Sequence, residues 1–204
     1  MTVEQLYEKL CSPDFKDTAN GDIFYNFFIY RYNAKEEHKM RREIQDICSK
    51  IIRPNHNVDV LAIDLFDTFC DYLDKTEFGK KHPSYLQYLL EKERQGEKMV
   101  EGVTRSLTSV ANSDEFLQHL HRLILDHIIK DDGNVRPYVF LYGIGEIFPY
   151  MRVSSLLNRY EKYNSSSEYK IIIFYPGDHT GNTFKLFGLL NDEHTYRAVD
   201  LINE

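Results

Sequence analysis

The strongest constraint on the fold is the alternation of apolar segments with amphipathic ones. Four segments are rich in β-branched and aromatic residues, as buried strands are: Ile23 to Tyr32, Val58 to Ile63, Pro137 to Tyr142 and Tyr169 to Tyr175. Between them, apolar residues recur every three or four positions, which is the spacing of one helix face. Strands that alternate with helices predict an α/β protein, a three-layer sandwich around a mostly parallel sheet.

Helical periodicity places the other elements. We predict helices at Thr2 to Leu10, with Thr2 as the N-cap, along Met40, Ile44, Ile47 and Ile51, along Leu65, Phe66, Phe69 and Leu73, and from Phe148 to about Tyr160. From about residue 76 to 131 the pattern is helical, with Gly96 and Gly102 as breaks and Asn112 with Glu115 as a capping pair. We expect this segment to be a helical insert in a single domain that spans residues 1–204.

Composition limits the class of function. The 204 residues include 25 Lys and Arg against 32 Asp and Glu, a net charge of -7 that repels a phosphate backbone. Direct nucleic-acid binding is therefore not expected. The three cysteines, Cys11, Cys48 and Cys70, are too few and too far apart for a disulfide framework, which favours the reducing cytoplasm. No apolar run has the length of a membrane span, and we expect no membrane association.

Two glycine-containing segments follow predicted strands, at Gly143 to Glu146 and at Pro176 to Asn182. Ligands in open α/β sheets bind beyond the carboxyl ends of the strands, so we expect both segments to border one crevice. Their glycines would let the backbone approach a phosphate or a partner loop, and the helix that begins near Phe148 would offer its positive end. A second interpretation stays open, because tight turns from strand to helix also need glycine for steric reasons.

A phosphate-binding P-loop is absent from the sequence. The pattern GxxxxGK followed by Ser or Thr occurs nowhere, and the segment Tyr32 to Glu37 after the first predicted strand has no glycine. We therefore predict a sheet that resembles a P-loop-type domain without its Walker A loop. Classical ATP hydrolysis is not expected from such a domain.

An enzymatic alternative rests on the segment Asp64 to Thr68, which resembles the first motif of haloacid dehalogenase-type phosphatases. The resemblance makes Asp64 the nucleophile and Thr68 a phosphate contact, and Gly177-Asp178 resembles the metal-binding motif of these enzymes. Phe66, however, stands where their general-acid aspartate belongs. The competing interpretation takes Asp67, Asp71 and Asp74 as the solvated face of a helix.

Other catalytic patterns are missing. His119, His121 and His127 do not have the i, i+4 spacing of a helical zinc site, and no serine lies in a GxSxG elbow. Cys48 and Cys70 lie within or beside apolar helical stripes, as inert thiols do. We therefore expect no catalytic residues, no metal and no cofactor.

The most specific pattern lies in the last third of the chain. It comprises Leu141 to Arg152, Leu156 to Asn158, Phe174 to Gly181, Lys185 to Leu190 and Tyr196 to Ala198. These segments resemble the BrxB proteins of bacteriophage exclusion (BREX) defence systems. A looser likeness extends to Ser12 to Phe15, Tyr30 to Asn33 and Val60 to Phe66, while residues 76–131 are the least diagnostic.

The resemblance implies a small cytoplasmic component of a phage-defence system, encoded beside a methyltransferase, large ATPases and the alkaline-phosphatase-like protein PglZ. It supplies no catalytic residues. We therefore hypothesise a non-catalytic adaptor or regulator that binds PglZ or another BREX protein; a nucleotide- or small-ligand sensor without hydrolysis is the alternative. As contact residues we predict polar, aromatic and glycine positions near the strand ends, namely Gly143, Gly145, Glu146, Arg152, Tyr175, Gly177, Asp178 and Arg197. Arg152 has a structural alternative as a partner of Glu146, and Arg197 as a partner of Asp192. The oligomeric state stays open.

Overall fold

The computed structural model describes residues 1–16, 27–51, 59–130, 137–163, 169–180, 183–192 and 198–201. Its helices are α1 (Val3–Cys11), α2 (Pro13–Lys16), α3 (Glu37–Ile51), α4 (Leu65–Lys75), α5 (Tyr85–Glu93), α6 (Glu97–Ala111), α7 (Asp114–Lys130), α8 (Ile144–Ile147) and α9 (Val153–Tyr160). Its strands are β1 (Phe27–Tyr32), β2 (Val60–Asp64), β3 (Tyr138–Tyr142), β4 (Lys170–Thr180), β5 (Thr183–Leu186), β6 (Leu190–Asp192) and β7 (Ala198–Asp200).

The sheet is mostly parallel, as the sequence predicts. Five strands lie in the order β2-β3-β4-β1-β7, and each neighbouring pair in this order is parallel. The far end of β4 pairs with β5, and β5 pairs with β6, both antiparallel. A parallel sheet therefore ends, at β4, in a small antiparallel extension.

Two hydrophobic cores lie on opposite faces of the sheet. Along β1, Phe28 and Tyr30 point to the core that α1, α2 and α3 cover. Phe27 and Ile29 point to the other core, which α4, α5, α6, α7 and α9 cover. Successive side chains of a strand point to opposite faces of the sheet, so β1 contributes to both cores. This confirms the predicted three-layer α/β architecture; the resemblance to a P-loop-type domain stays a prediction.

The helices largely match the periodicity. Thr2 is the N-cap of α1 and forms a capping box with Gln5. In the insert, Gly96 does precede α6, but Gly102 lies inside this helix, so the predicted break there is wrong. The predicted capping pair of Asn112 and Glu115 is also wrong. Asn112 is the C-cap of α6, and the backbone N–H of Phe116 donates to the neighbouring Ser113 hydroxyl at 3.1 Å.

The helix predicted from Phe148 to Tyr160 begins five residues later than predicted, and a separate short helix precedes it. The short α8 ends at Ile147, and α9 begins only at Val153. Phe148 has an extended backbone, with φ -65° and ψ 137°, because the residue before a proline disfavours helix. The helix end that we expected near Phe148 is therefore absent.

The predicted loop Pro176 to Asn182 is mostly strand. β4 continues to Thr180 and pairs with β5, with Gly177 opposite Leu186 and Asp178 opposite Lys185. The proline and glycine indicate a turn in the sequence. Gly177 permits the pairing of β4 with β5. A Cβ at this position would stand closer than 3.0 Å to the carbonyl oxygen of Lys185, so a residue with a side chain would clash with the paired strand.

One buried hydrogen bond ties α1 to the sheet and gives the first prediction. Tyr138 is 3% exposed, and its hydroxyl donates to the carbonyl of Leu10 at 2.8 Å. Tyr138→Phe leaves that carbonyl without its donor, so we expect the free energy of unfolding to fall by about 1–2 kcal/mol in urea titrations. The half-buried Tyr150→Phe is the control, with an expected change below about 0.5 kcal/mol. Equal effects of the two variants would contradict this assignment.

Candidate functional site

The carboxyl ends of β1, β2, β3 and β4 lie at one edge of the sheet, which we call the carboxyl edge. Gly143, Gly145 and Glu146 follow β3 at this edge, and Gly177 and Asp178 lie where β4 extends beyond it. The two segments that the sequence singles out are therefore neighbours.

Arg41 on α3 joins three carboxylates of the carboxyl edge. Its guanidinium donates to Asp64 Oδ2 at 2.5 Å, to Glu37 Oε1 at 3.3 Å and to Glu146 Oε2. The Tyr142 ring lies beneath it, with the guanidinium carbon 5.3 Å from the ring centroid. Tyr32 extends the network by donating its hydroxyl to Glu37. We call this set the Arg41 network.

The charges in the Arg41 network support one another. Burial disfavours the charged form of Arg41, but its hydrogen bond to Asp64 and the charges of Asp64, Glu146 and Glu37 outweigh this and raise its pKa. Burial raises the pKa of Glu146, which the charge of Arg41 partly offsets. The pKa of Tyr32 is raised by burial and by its hydrogen bond to Glu37. Arg41 is thus the cation that holds an acidic edge together.

Asp64 uses both of its oxygens within the protein. Oδ1 accepts from the backbone N–H groups of Phe66 and Asp67, each at 3.1 Å, so Asp64 is the N-cap of α4. Oδ2 accepts from Arg41. The side chain that the phosphatase alternative makes a nucleophile is a helix cap and an ion-pair partner, and Asp178 of that alternative lies in the β4–β5 hairpin.

Gly143 has a steric role beside this cap. It has φ 74°, a left-handed conformation, and an added Cβ would stand closer than 3.0 Å to Asp64 Oδ1. Only glycine meets both conditions. The glycine of this turn therefore serves the contact between β3 and the cap of α4.

Gly145 lies against the hairpin between β5 and β6. An added Cβ would meet Cε1 of Phe187 at 2.8 Å, and Pro176 lies on the same side. The space between the two predicted loops is thus filled by an aromatic ring. The described residues around Phe148, Arg152 and Leu190 enclose a cavity of only about 10 Å³, room for about one water molecule.

The turn between β5 and β6 displays apolar side chains. Phe187 and Gly188 have φ 58° and 72°, and the backbone N–H of Leu189 donates to the carbonyl of Leu186 at 3.1 Å. The Leu189 side chain is 83% exposed, and Phe187 and Leu190 are each 39% exposed. We call Phe187 to Leu190 the hairpin tip. A bulky residue at positive φ is rare, and such strained positions cluster at functional sites.

Arg152 and Tyr175 lie around the base of the hairpin. Arg152 donates to the carbonyl of Asn191 at 2.9 Å, whereas Glu146, the partner suggested by the sequence, pairs with Arg41. The Tyr175 ring is fully buried, its hydroxyl has no hydrogen-bond partner among the described residues, and burial raises its pKa. Arg152 therefore holds the β6 end of the hairpin, and the Tyr175 ring packs edge-on against Phe184 of β5, with ring centroids 5.6 Å apart.

One predicted contact residue cannot be placed, and two features of the site were not predicted. Arg197 lies outside the described residues. Arg41 has no role in the sequence analysis, and the hairpin tip lies in the family segment Lys185 to Leu190 without an assigned function. The signal for the tip was Gly188 inside the run Leu186 to Leu190, because glycine within an apolar run is typical of a turn.

The described residues form neither a metal-binding cluster nor a membrane-spanning helix. In the part of the chain that the structure describes, no three His, Cys, Asp or Glu side chains are grouped to hold a metal ion. No helix among the described residues has both the length and the apolar character needed to cross a membrane.

Fold and site together define a three-layer α/β protein whose carboxyl edge is closed by an ion-pair network and carries an exposed apolar hairpin. The family model described as BREX protein BrxB matches residues 61–201. The chain is also 22% identical to a BREX protein BrxB of Bacillus cereus (strain H3081.97), over 99% of this chain and 96% of the relative. No solved structure matches the chain significantly. The chain therefore belongs to the BrxB family.

The Arg41 network predicts energetic coupling between α3 and α4. Arg41→Met leaves Asp64, which is 8% exposed, without its cation, so we expect a loss of about 2 kcal/mol of unfolding free energy. Asp64→Asn keeps a capping side chain but also loses the ion pair. In a double-mutant cycle the combined loss should be smaller than the sum by about 1 kcal/mol or more. Additive losses would contradict the coupling. Arg105→Met, which breaks an exposed pair with Glu101, should cost less than about 0.5 kcal/mol.

The contact between Gly145 and Phe187 gives a matched pair of glycine substitutions. Gly145→Ala should destabilise the protein by about 1–3 kcal/mol, because its methyl group displaces the Phe187 ring. Gly102→Ala in α6 meets open space, so its better helix propensity should stabilise the protein by up to about 1 kcal/mol. Thermal unfolding of both variants checks the signs. Stabilisation by Gly145→Ala would show that Phe187 does not rest on this glycine.

Proposed function

We propose that this protein is a non-catalytic cytoplasmic component of a BREX phage-defence system, an adaptor that docks PglZ with its hairpin tip. Membership of the BrxB family supports the assignment to BREX. The observation that supports docking is the exposure of Leu189, an 83% exposed leucine at the tip of an ordered turn. Free thiols at Cys11, Cys48 and Cys70 agree with the reducing cytoplasm.

The hairpin tip has the energetic features of a contact centre. Burying an exposed leucine side chain such as that of Leu189 yields about 1.5–3 kcal/mol. Phe187 and Leu190, each 39% exposed, add the apolar surface that they leave open. The backbone N–H groups of Phe187 and Gly188 donate to the carbonyls of Pro176 and Lys185 at 2.8 and 3.0 Å. A turn fixed in this way loses little conformational entropy when it binds, which favours affinity.

Charged side chains surround the tip. Glu146 is exposed beside Gly145, Asp178 is exposed on β4, and Arg152 is exposed at the start of α9. An apolar centre within a polar rim is the usual composition of a protein–protein interface. We expect the complementary surface of PglZ to be an apolar pocket with polar groups at its border.

Two observations support the non-catalytic part of the proposal. Both oxygens of Asp64 are engaged, one by the first backbone N–H groups of α4 and one by Arg41. The Phe187 ring lies against Gly145, with Pro176 on the same side, so an aromatic side chain occupies the space between these two positions. The carboxyl edge is better suited to contact than to turnover.

The test is a comparison of two charge insertions. Leu189→Asp places a carboxylate in the proposed centre of the interface, so we expect the affinity for co-expressed, tagged PglZ to fall about tenfold or more. Ile129→Asp is the matched control, because Ile129 on α7 is also largely exposed, at 77%, but lies on a different helix surface. Co-purification, followed by size-exclusion chromatography with mass determination, measures complex formation.

Loss of the complex with Leu189→Asp and its retention with Ile129→Asp would support the proposal. A wild-type chain that elutes alone at every salt concentration would contradict binding to PglZ. A complex that survives Leu189→Asp but not Ile129→Asp would move the interface to α7.

A further inference from the structure

A second set of exposed apolar side chains lies in the helical insert. Among the described residues, the large apolar side chains that are more than a third exposed fall into two groups. One group is the hairpin tip. The other lies on or beside α5, α6 and α7 and comprises Phe78, Leu90, Met99, Val100, Leu123 and Ile129. Docking at the hairpin tip leaves this second group uncovered, and exposed apolar surface of this kind marks interaction sites.

Part of this surface borders a groove between α5 and α6, which we call the insert groove. It has a volume of about 260 Å³ and is lined by apolar side chains of both helices, namely Tyr88, Leu89, Met99 and Val103. Gly102 and Ser106, one helical turn apart, also line it, and an added Cβ at Gly102 would meet no atom within 4 Å. Small residues at this spacing leave room for the side chains of another helix to lie against α6.

One cation of the insert groove has no carboxylate partner among the described residues. The Lys92 ammonium group lies 5.7 Å from the centroid of the Tyr88 ring, and no ion pair within the described part of the chain includes it. An occupant that brings an apolar helix face with one carboxylate therefore complements both the walls and the charge of the groove.

The exposed face of α7 has this composition. Leu123 and Ile129 are 36% and 77% exposed, and Asp126 lies between them on the same helix face, because the three positions are three residues apart. Asp126 is exposed and has no ion pair with any described residue. With 17 and 15 residues, α7 and α6 are about 25 and 22 Å long. One helix can thus lie along the other over its whole length.

We propose that two copies of this chain form a dimer through the insert, with α7 of each copy in the insert groove of the other and Asp126 paired with Lys92 across the interface. Helices α5, α6 and α7 all cover the same core, so the groove and the α7 face lie on the same side of the sheet. A two-fold axis then forms both contacts at once.

Charge does not oppose this contact. The chain as a whole has a net charge of -7, which repels a second copy, but residues 85–111 contain four acidic and four basic side chains. The exposed face of α7 carries one charge of each sign, Arg122 and Asp126. The insert is therefore the part of the surface where two copies approach with the least repulsion.

Sedimentation velocity of the purified chain without PglZ, over a series of micromolar concentrations, measures this association. At the highest concentrations we expect twice the mass of the 24.2 kDa chain. Lys92→Glu and Asp126→Lys each bring like charges together at both contacts, so each should weaken the dimer about tenfold or more. The double variant restores an opposite pair and should dimerise with nearly the wild-type affinity.

Two matched controls lie on α3, on the other side of the sheet. Lys50→Glu and Asp46→Lys make the same charge changes at exposed positions and should leave the association unchanged. Gly102→Gln fills the insert groove without a change in charge and should also weaken the dimer. In dilute, monomeric samples it should not lower the thermal unfolding temperature, because glutamine is a better helix former than glycine.

Four results would overturn the proposal. They are a monomer at every concentration, an assembly that grows beyond a dimer, equal weakening by Lys92→Glu and Lys50→Glu, and a double variant that does not recover the dimer. Far-UV circular dichroism first establishes that each variant is folded. The association is measured on the chain alone, so none of these results bears on the docking of PglZ at the hairpin tip.

Discussion

The carboxyl edge of this protein depends on the ion pair between Arg41 and Asp64. Asp64 ends β2 and caps α4, so its position is set by the sheet, while Arg41 projects from α3 on the opposite layer. The pair therefore joins elements of both layers at the same edge. Because Asp64 accepts from Arg41 and from two backbone N–H groups, its charge is balanced where water is largely excluded.

The loop after β3 is shaped around that pair. Gly143 passes close to Asp64 because it lacks a Cβ, and Glu146 then reaches Arg41. The same short helix brings Gly145 under Phe187. A crevice that α/β proteins use for ligands is thus filled by the protein's own hairpin, and the apolar side chains that remain outside form a convex tip. The carboxyl edge thus presents a convex apolar surface and not a pocket, and this surface is the physical basis for the docking function that we propose.

The sequence predicts the layers and the parallel sheet well, because periodicities of two and of about 3.6 are local properties that burial enforces. The sequence-based predictions are wrong where contacts between segments that are distant in the chain determine the local structure. Proline and glycine at positions 176 and 177 are typical of a loop, yet pairing with β5 makes this segment part of β4. The helix predicted from Phe148 begins only at Val153, because Phe148 precedes a proline and has an extended backbone. Arg41 could not be recognised, since its three carboxylate partners come from positions 37, 64 and 146 and meet only in the folded chain. The sequence predicts that the two glycine segments are neighbours, but it does not predict that the Phe187 ring lies between them.

Hydrogen–deuterium exchange of the free chain and of the chain in complex with co-expressed PglZ tests the central claim most directly. If the carboxyl edge is the docking surface, exchange should slow in peptides that cover residues 183–192 and 143–148, with α5 and α6 unchanged. Protection confined to α5 and α6, with the hairpin exchanging as fast as in the free chain, would contradict the account.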